Sequence, residues 1–361
     1  MTGAARIRES FPYLEECVYL NTASVGLSWQ GSGNAAAEFY QSTSRGMGSR
    51  SAWLAKAEAT RRDLGEIIHV PCGAIEFLGS TTEALNIIAL SMRLKKGDQI
   101  VLAADEFPSV VLAWTSRLKE GIEVVRVPIE REEERTHALC DAITERTRVI
   151  AVSHVHWRTG TRTNLELLKK ACESFDCRLI VDGVQAVGAI PVDANGVDAY
   201  CASVFKWLLS GFGLGFVALS PRFAAELNPA LRGYANEVPS RALHYGHNNY
   251  PGIYALHASL ENLKNVGLRT IHERVESLAR RLLTDLRQHG FNVLTPHTSH
   301  GGIVSIRDTR APALVAHLAR EGIVVEDANP IVRISAHFYN NERDVDSLVG
   351  ALTSGISAVR A

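Results

Sequence analysis

The most constraining feature of the sequence is a regular alternation of short apolar runs and amphipathic helical patterns between about residues 65 and 220. Each run is nearly continuous in Val, Ile, Leu and Ala, as expected for strands buried on both faces. Alternating strands and helices require right-handed crossovers and therefore predict a largely parallel sheet. The strand candidates are Gln99–Ala103, Glu123–Val127, Val149–Ser153, Arg178–Asp182 and Phe216–Leu219, and Asn164–Phe175 is one of the intervening helices.

The pattern changes after about residue 250, where the sequence predicts a smaller α+β module on a helical connector. We therefore expect an N-terminal segment (1–20) that packs with the small domain, a large domain (21–240), and a connector helix with the small C-terminal domain (241–361). The charged run 130–135 is interpreted as a solvated loop, and an acidic ligand site is the less favoured alternative. The C-terminal elements expected are helices over Gly252–Asn265, Thr270–His289 and Ala313–Arg320, strands over Phe291–Leu294, Ile303–Arg307 and Val332–Ser335, and a last helix from near Asn341.

Charge and cysteine content exclude several classes of protein. With 38 basic and 39 acidic side chains, the formal charge of −1 provides no general attraction for nucleic acid or an anionic membrane. No run of eighteen apolar residues occurs, so we expect no membrane span, and the N-terminus lacks the apolar core of a signal peptide. The six cysteines form no CxxC pair and show no zinc-ligand spacing, which indicates reduced thiols, a cytoplasmic protein and no metal site.

Three short segments carry residues suited to chemistry. The hydroxyl-rich turn Gly79–Asn86 precedes a helix, where free amides suit a phosphate, although an ordinary N-cap would look the same. Asp182 ends an apolar strand at the ligand-binding edge of a parallel sheet, or is simply a turn aspartate. Lys206 lies among apolar residues that would lower its pKa and make it nucleophilic, unless its amine extends to water. Together they supply the contacts that pyridoxal 5′-phosphate (PLP) needs.

With these segments in place, the sequence resembles the class-V aminotransferase family of PLP-dependent enzymes. That family includes cysteine desulfurases, isopenicillin-epimerase-like proteins and ergothioneine-type carbon–sulfur lyases. The resemblance implies a large domain with a mainly parallel sheet flanked by helices, of the aspartate-aminotransferase-like PLP fold type I, plus a smaller C-terminal α+β domain. The motifs that carry the resemblance, in chain order, are Tyr19–Ser24 with Gly26, the phosphate turn, Val181–Gly188, Ser203–Leu208, and Val332–Ser335 with Tyr339 and Asn340.

The resemblance also implies roles for individual residues. Lys206 would form the Schiff base and move the proton at the substrate α-carbon, while Asp182 would pair with the pyridine nitrogen of PLP. The remaining cofactor contacts would come from Thr81, Thr82 and Ser203 at the phosphate, Gln185 at the ring hydroxyl, Phe107 stacked on the ring, and His247 and Asn248 reaching across a homodimer with shared sites. Substrate contacts would come from Asn21, Ala23, Ser24, Arg333 at the α-carboxylate, and His156, which is an ordinary buried histidine in the alternative interpretation.

The sequence favours an aminotransferase acting on an amino acid with a keto-acid co-substrate, and leaves open a β-eliminating carbon–sulfur lyase or an epimerase. A cysteine desulfurase with a persulfide mechanism is disfavoured, because it needs a thiolate near the substrate sulfur. Only ten residues separate Gly322 from Arg333, and no cysteine follows Cys201. A non-catalytic scaffold would not need Lys206, Asp182, Gln185 and Arg333 together.

Overall fold

The core of the fold is a seven-stranded sheet, seen in a computed structural model that describes residues 8–237 and 242–360. A three-stranded sheet and a two-stranded sheet accompany it. The strands, in chain order, are β1 Val18–Tyr19, β2 Ile75–Leu78, β3 Gln99–Ala103, β4 Glu123–Val127, β5 Thr147–Ser153, β6 Arg178–Asp182, β7 Ala199–Ser203, β8 Gly215–Leu219, β9 Ile303–Arg307, β10 Ile323–Val324, β11 Glu326–Asp327 and β12 Ile331–Ser335.

The seven-stranded sheet has the order β2-β8-β7-β6-β5-β3-β4. All its neighbouring pairs are parallel except those of β8, which runs antiparallel to β2 and β7. The chain leaves β3 for β4 on one side and then returns to β5 on the other, which creates the switch point where ligands bind in open α/β sheets. The predicted mainly parallel sheet is confirmed, while β2 and β7 were not among the predicted strands.

Helices cover both faces of this sheet, as continuous burial of its inner strands requires. The amphipathic helix α6 begins where the Asn164 side chain accepts a hydrogen bond from the Leu167 amide at 3.2 Å. None of the described helices is long and apolar enough to cross a membrane. The α-helices are α1 Gln30–Ser42, α2 Arg50–Ile68, α3 Thr81–Ser91, α4 Pro108–Thr115, α5 Arg135–Asp141, α6 Leu165–Phe175, α7 Pro221–Glu226, α8 Tyr250–Val266, α9 Leu268–Gln288, α10 Ala311–Arg320 and α11 Glu342–Arg360.

The C-terminal module consists of the antiparallel sheet β11-β12-β9 with α9, α10 and α11 packed around a separate apolar core. The N-terminal segment is bound to this module, because β1 pairs with β10 and Arg8 forms an ion pair with Asp344 at 2.8 Å. The strand predicted at Phe291–Leu294 is wrong. That segment makes a single bridge between Val293 and Ile306, and it is followed by Pro296, which has no amide hydrogen to extend a ladder.

The prediction of a solvated loop at 130–135 is also wrong for its last residue. Arg135 begins α5 and is 1% exposed. Its guanidinium binds both carboxylate oxygens of Asp105, at 3.0 and 2.7 Å, and both of Glu132, at 3.1 Å each. Arg135 is therefore a buried cation whose charge is fully paired, although it belongs to a charged run. Its contacts join the loop after β3 to α5.

Candidate active site

A cavity of about 320 Å³ lies at the carboxyl ends of β5, β6 and β7, beside the N-termini of α3 and α4. Its volume is in the range of small-molecule and cofactor sites. A larger cavity of about 850 Å³, lined by residues of α2, α9 and nearby loops, contains none of the predicted site residues. The smaller cavity brings together seven of them, namely Thr81, Thr82, Phe107, Asp182, Gln185, Ser203 and Lys206.

Hydroxyl groups cluster at one end of this cavity, around the N-terminus of α3. Ser80 caps the helix, and the Thr81 amide donates to Ser203 Oγ at 2.9 Å. The hydroxyls of Thr81 and Ser203 lie 3.0 Å apart, and those of Thr82 and Ser109 lie 2.8 Å apart. Hydroxyl donors at a helix N-terminus suit an anionic group. Ser109 was missed from the sequence, although its place after Pro108 at the start of a helix was a usable signal.

Asp182 contributes a buried carboxyl group to the same cavity. It is the last residue of β6 and is 7% exposed, with Oδ1 accepting the Val184 amide at 2.9 Å. Burial raises the pKa of Asp182, against the opposing effects of the Val184 amide and the Lys206 charge. A carboxylate in such surroundings is stabilised by a cationic partner, such as a protonated ring nitrogen.

Among the residues that the structure describes, Lys206 is the only amine that lines the cavity. Its Nζ lies 5.8 Å from the ring centroid of Phe107 and 5.5 Å from that of Phe205. Burial, followed by the positive charge of Arg333, lowers the pKa of Lys206 to about 8. A substantial fraction of this amine is therefore neutral and nucleophilic near physiological pH.

Close backbone packing fixes the position of the Lys206 loop. A Cβ on Gly26 would collide with the Lys206 carbonyl oxygen, so only glycine lets the N-terminal segment approach so closely. Gly188, at a φ of +92°, packs in the same way against the Trp207 carbonyl. His337, from the C-terminal module, bonds to that carbonyl through Nε2 at 3.0 Å. The loop is thus held by three distant parts of the chain.

Gln185 links the cavity to the N-terminal segment. Its Nε2 donates to the Ala23 carbonyl at 3.0 Å, and its Oε1 accepts from Trp207 Nε1 at 2.8 Å. The Ala23 amide in turn donates to Ser335 Oγ at 2.9 Å. One Gln185 amide hydrogen remains for a ligand, so this side chain positions the surrounding loops as well as facing the cavity.

Arg333, Ser24 and Asn21 form a polar cluster beside the cavity, without lining it. Arg333 is 5% exposed; its Nη1 donates to the Trp157 carbonyl at 3.0 Å and its Nη2 to Ser24 Oγ at 2.6 Å. Burial lowers the pKa of Arg333. Its Nε is buried without a hydrogen-bond partner among the described residues, which fits a guanidinium arranged to receive a carboxylate.

A carboxylate that sequence reasoning missed completes this cluster. Glu326 Oε2 accepts hydrogen bonds from Ser24 Oγ at 2.6 Å and from Asn21 Nδ2 at 3.0 Å. Glu326 and Arg333 occupy facing positions on the antiparallel strands β11 and β12. The usable signal was an acidic residue within the ten-residue segment that precedes Arg333.

The structure does not bring His156 to the cavity. His156 is 1% exposed, with Nε2 bonded to the Asp105 carbonyl at 3.0 Å and Nδ1 to Thr159 Oγ1 at 2.8 Å. Because a carbonyl only accepts, Nε2 carries the hydrogen and Nδ1 is the acceptor. Burial lowers the pKa of His156 and so favours the neutral ring. These contacts favour the structural interpretation of this histidine.

His247 and Asn248 lie apart from the Lys206 cavity of their own chain. They line a separate cavity of about 280 Å³ that includes Gly79 and Glu83. His247 is exposed and its ring lies 5.1 Å from that of Tyr234.

One group of potential metal ligands occurs among the described residues, formed by Asp105, Glu132 and His156 with ligand atoms within 4.8 Å of one another. Arg135 binds both carboxylates of this group. The guanidinium therefore supplies the positive charge that the two carboxylates require.

A buried lysine, a buried aspartate and a helix-capped hydroxyl cluster share one cavity at the carboxyl edge of a mainly parallel sheet, an arrangement that fits a PLP-dependent enzyme of fold type I. The chain belongs to the class-V aminotransferase family, because the family model "Aminotransferase class-V" matches residues 30–348. The predicted family and fold are confirmed, and PLP is the cofactor of this family. The donor set around Lys206 fits that cofactor.

Relatives in this family carry different names. The chain is 29% identical to isopenicillin N epimerase of Streptomyces clavuligerus over 76% of this chain and 78% of the relative. It is 24% identical to the uncharacterized aminotransferase YcbU of Bacillus subtilis over 94% of each chain. Among solved structures, the cysteine desulfurase CsdA of Escherichia coli superposes with a TM-score of 0.88, at 25% identity over 99% of each chain. The family is therefore established, and the reaction needs separate arguments.

Proposed function

We propose that this protein is an aminotransferase that acts at the α-carbon of an amino acid through Lys206. The observation that carries the proposal is a single buried amine, with a pKa of about 8, that shares one cavity with Asp182 and the hydroxyl cluster. PLP, when bound, supplies an electron sink that weakens the bonds at the α-carbon of an attached amino acid.

Each cavity residue has a role in holding the cofactor. The hydroxyls of Thr81, Thr82 and Ser203 would bind its phosphate at the N-terminus of α3, with Ser109 as a further donor. Asp182 would hold a proton on the ring nitrogen, because a buried carboxylate strongly favours a cationic partner. Phe107, at the cavity wall, would pack against the ring face.

The titratable groups of the cavity favour transamination over epimerisation. Among the described residues that line it, only Lys206 and Asp182 titrate, and Asp182 is assigned to the cofactor ring. One amine can move a proton on one face of the substrate, as transamination requires. Epimerisation with two bases needs a second proton donor on the opposite face, and His156 is buried and bonded elsewhere.

The substrate α-carboxylate would bind Arg333. The Nε of Arg333 has no partner among the described residues and lies next to Nη2 in the planar guanidinium, so the two can bind a carboxylate in bidentate fashion. Desulfuration through a persulfide is disfavoured, because all six cysteines lie at or before Cys201 and none lines the cavity.

The decisive experiment incubates the holoenzyme with a panel of amino acids in the absence of any keto acid. We expect the visible absorption band of bound PLP to be replaced by that of its pyridoxamine form, with one equivalent of keto acid released. Release of pyruvate and ammonia without that spectral change would instead establish β-elimination and overturn the proposal. Racemisation of the amino acid, with PLP unchanged, would establish epimerisation.

Two variants test the assigned roles. Lys206→Ala should lose the spectral conversion. Arg333→Ala should raise KM for the amino acid by about ten- to hundredfold, the effect of losing a charge-assisted hydrogen bond. Unchanged kinetics in Arg333→Ala would refute its role at the α-carboxylate.

We also propose a homodimer with shared sites. His247 and Asn248 do not reach the Lys206 cavity of their own chain, which supports a role toward a neighbouring subunit. Light scattering should give twice the chain mass. Mixed dimers of Lys206→Ala and His247→Ala chains should recover one intact site, whereas a monomer or absence of recovery would contradict the shared site.

A further inference from the structure

The polar cluster around Arg333 contains a negative charge that α-carboxylate binding does not require. Glu326 is half-buried, and one of its oxygens is held by Ser24 and Asn21. Ser24 Oγ also accepts a hydrogen bond from Arg333 Nη2, so its single hydroxyl bridges the guanidinium and the carboxylate. Facing positions on β11 and β12 place Glu326 and Arg333 side by side.

Glu326 is ionised at neutral pH. Burial alone would raise its pKa, but the Ser24 and Asn21 hydrogen bonds lower it, and the charges of Arg333 and Lys206 lower it further. The carboxylate acts in turn on Lys206, whose pKa it raises against the effect of burial. Glu326 is therefore electrostatically coupled to both residues assigned to the substrate, the reactive amine and the carboxylate-binding guanidinium.

Two acceptor oxygens of the cluster are not engaged by the described part of the protein. Among the described residues, no group donates to Glu326 Oε1, and Asn21 Oδ1 is buried without a partner. The Nε of Arg333, which has no partner among the described residues, is assigned together with Nη2 to the α-carboxylate. The neighbouring part of a substrate would therefore meet the negative charge of Glu326 and its unengaged oxygen Oε1.

We propose that Glu326 determines substrate specificity: it admits amino acids whose side chain is neutral or cationic and donates hydrogen bonds, and it rejects dicarboxylic amino acids and dicarboxylic keto acids. This inference rests on the proposed function, since it names the substrate class of the same site. A second carboxylate in the substrate would lie near the Glu326 carboxylate, and the two like charges would repel each other.

One other cation could oppose this preference. Arg158 donates from Nη2 to the Ala328 carbonyl at 3.1 Å, and its guanidinium lies 5.4 Å from the ring centroid of Trp157. Its Nε is buried without a partner in the described part of the chain. For a dicarboxylic substrate to be preferred, its second carboxylate would have to bind Arg158 despite the negative charge of Glu326 nearby. A preference for such a substrate is therefore the outcome that contradicts the proposal.

The test compares glutamine with glutamate, which have similar shapes and differ in one charge. In single-turnover conversion of the bound cofactor, kcat/KM should favour glutamine by about ten- to hundredfold, the expected effect of two like charges several ångström apart at a protein's effective dielectric. Glu326→Gln keeps the acceptor for Ser24 and Asn21, and it should reduce the preference to within about threefold.

Asp327→Asn is the matched control, because it removes an equal charge from the next, exposed residue of β11. This variant should keep the wild-type preference for glutamine. A wild-type preference for glutamate, or an unchanged preference in Glu326→Gln, would overturn the assignment to Glu326. A loss of preference in Asp327→Asn equal to that in Glu326→Gln would show only a general charge effect, and would also overturn it.

A binding measurement separates this inference from the proposed function. Isothermal calorimetry on the holoenzyme compares glutarate with its monoamide, neither of which has an amino group to react. The monoamide should bind more tightly in the wild type, and the difference should disappear in Glu326→Gln. If the difference in affinity between the two ligands persists but no amino acid converts the cofactor, the proposed reaction fails and the proposed specificity of the site stands. Equal binding of the two ligands in the wild type overturns the role of Glu326.

Discussion

Replacing Lys206 with methionine should stabilise the cofactor-free protein at neutral pH. Methionine has a similar length and carries no charge, so it removes the cost of burying an ammonium group. The pKa of about 8, against 10.5 for an ordinary lysine, corresponds to about 3 kcal/mol of destabilisation at pH 7. For a chain of this length, that energy is a rise of about 4 °C in Tm.

The pH dependence of this gain is its specific signature. The unfolded chain binds the Lys206 proton more tightly than the folded chain, so wild-type stability rises as pH increases from about 8 to about 10.5. The methionine variant lacks this rise. Its advantage should therefore be largest below pH 8 and fall to about half of the neutral value by pH 9.5.

The assay is calorimetric unfolding of both proteins after removal of PLP, at several pH values between 7 and 9.5. Lys264→Met is the control, because Lys264 is bound to Asp63 and Glu66 at 2.8 Å each and its pKa is raised. That variant should lose stability by about 0–1 kcal/mol, without pH dependence in this range. A destabilised Lys206→Met protein, or a gain that does not change with pH, would refute the buried-charge reasoning.

Three further substitutions test the packing and charges around the site. Gly26→Ala should destabilise the protein by about 1–3 kcal/mol in urea unfolding, because the added Cβ overpacks against a backbone carbonyl. The control is Gly33→Ala, where a Cβ meets open space in a helix, and this variant should be neutral or stabilise the protein by up to about 1 kcal/mol. Equal effects of the two substitutions would contradict the close approach at Gly26. Arg135→Met should cost about 3–5 kcal/mol, because it leaves two carboxylates without their shared cation, while the exposed Arg131→Met should cost at most about 1 kcal/mol in the same unfolding assay. Asp182→Asn should retain PLP absorption and lower kcat for cofactor conversion, and an unchanged kcat would remove Asp182 from the ring nitrogen.

The parts of the fold whose sequence has a clear hydrophobic pattern were predictable from the sequence. The strands from Gln99–Ala103 to Arg178–Asp182 are continuous apolar runs, and the structure has β3, β4, β5 and β6 at these places with small differences at their ends. The strand β7 was missed because its sequence, Ala199–Ser203, is built largely of small residues with weak strand preference. Its partners, rather than its own residues, determine its conformation.

The residues of the site differ in the same way: local sequence indicates some of them, and only contacts with distant parts of the chain indicate the others. Lys206 and Asp182 were identifiable because each lies in a local context, an apolar surrounding or a strand end, that indicates its chemistry. Glu326 carries only a weak local signal, its place shortly before Arg333, because its proposed role depends on its position across from Arg333 and on contacts with Asn21 and Ser24 about 300 residues away. Arg135 was misjudged for a similar reason, because Asp105, 30 positions earlier, accounts for its burial.

The most direct test of this account is the chemical location of the cofactor. Borohydride reduction of the holoenzyme fixes PLP to the amine that holds it, and peptide mass mapping then identifies that lysine. The account predicts the reduced cofactor on the peptide that contains Lys206, and no labelling in Lys206→Ala. Cofactor attached to any other lysine, or a protein that binds PLP and yields no labelled peptide, would contradict the central assignment.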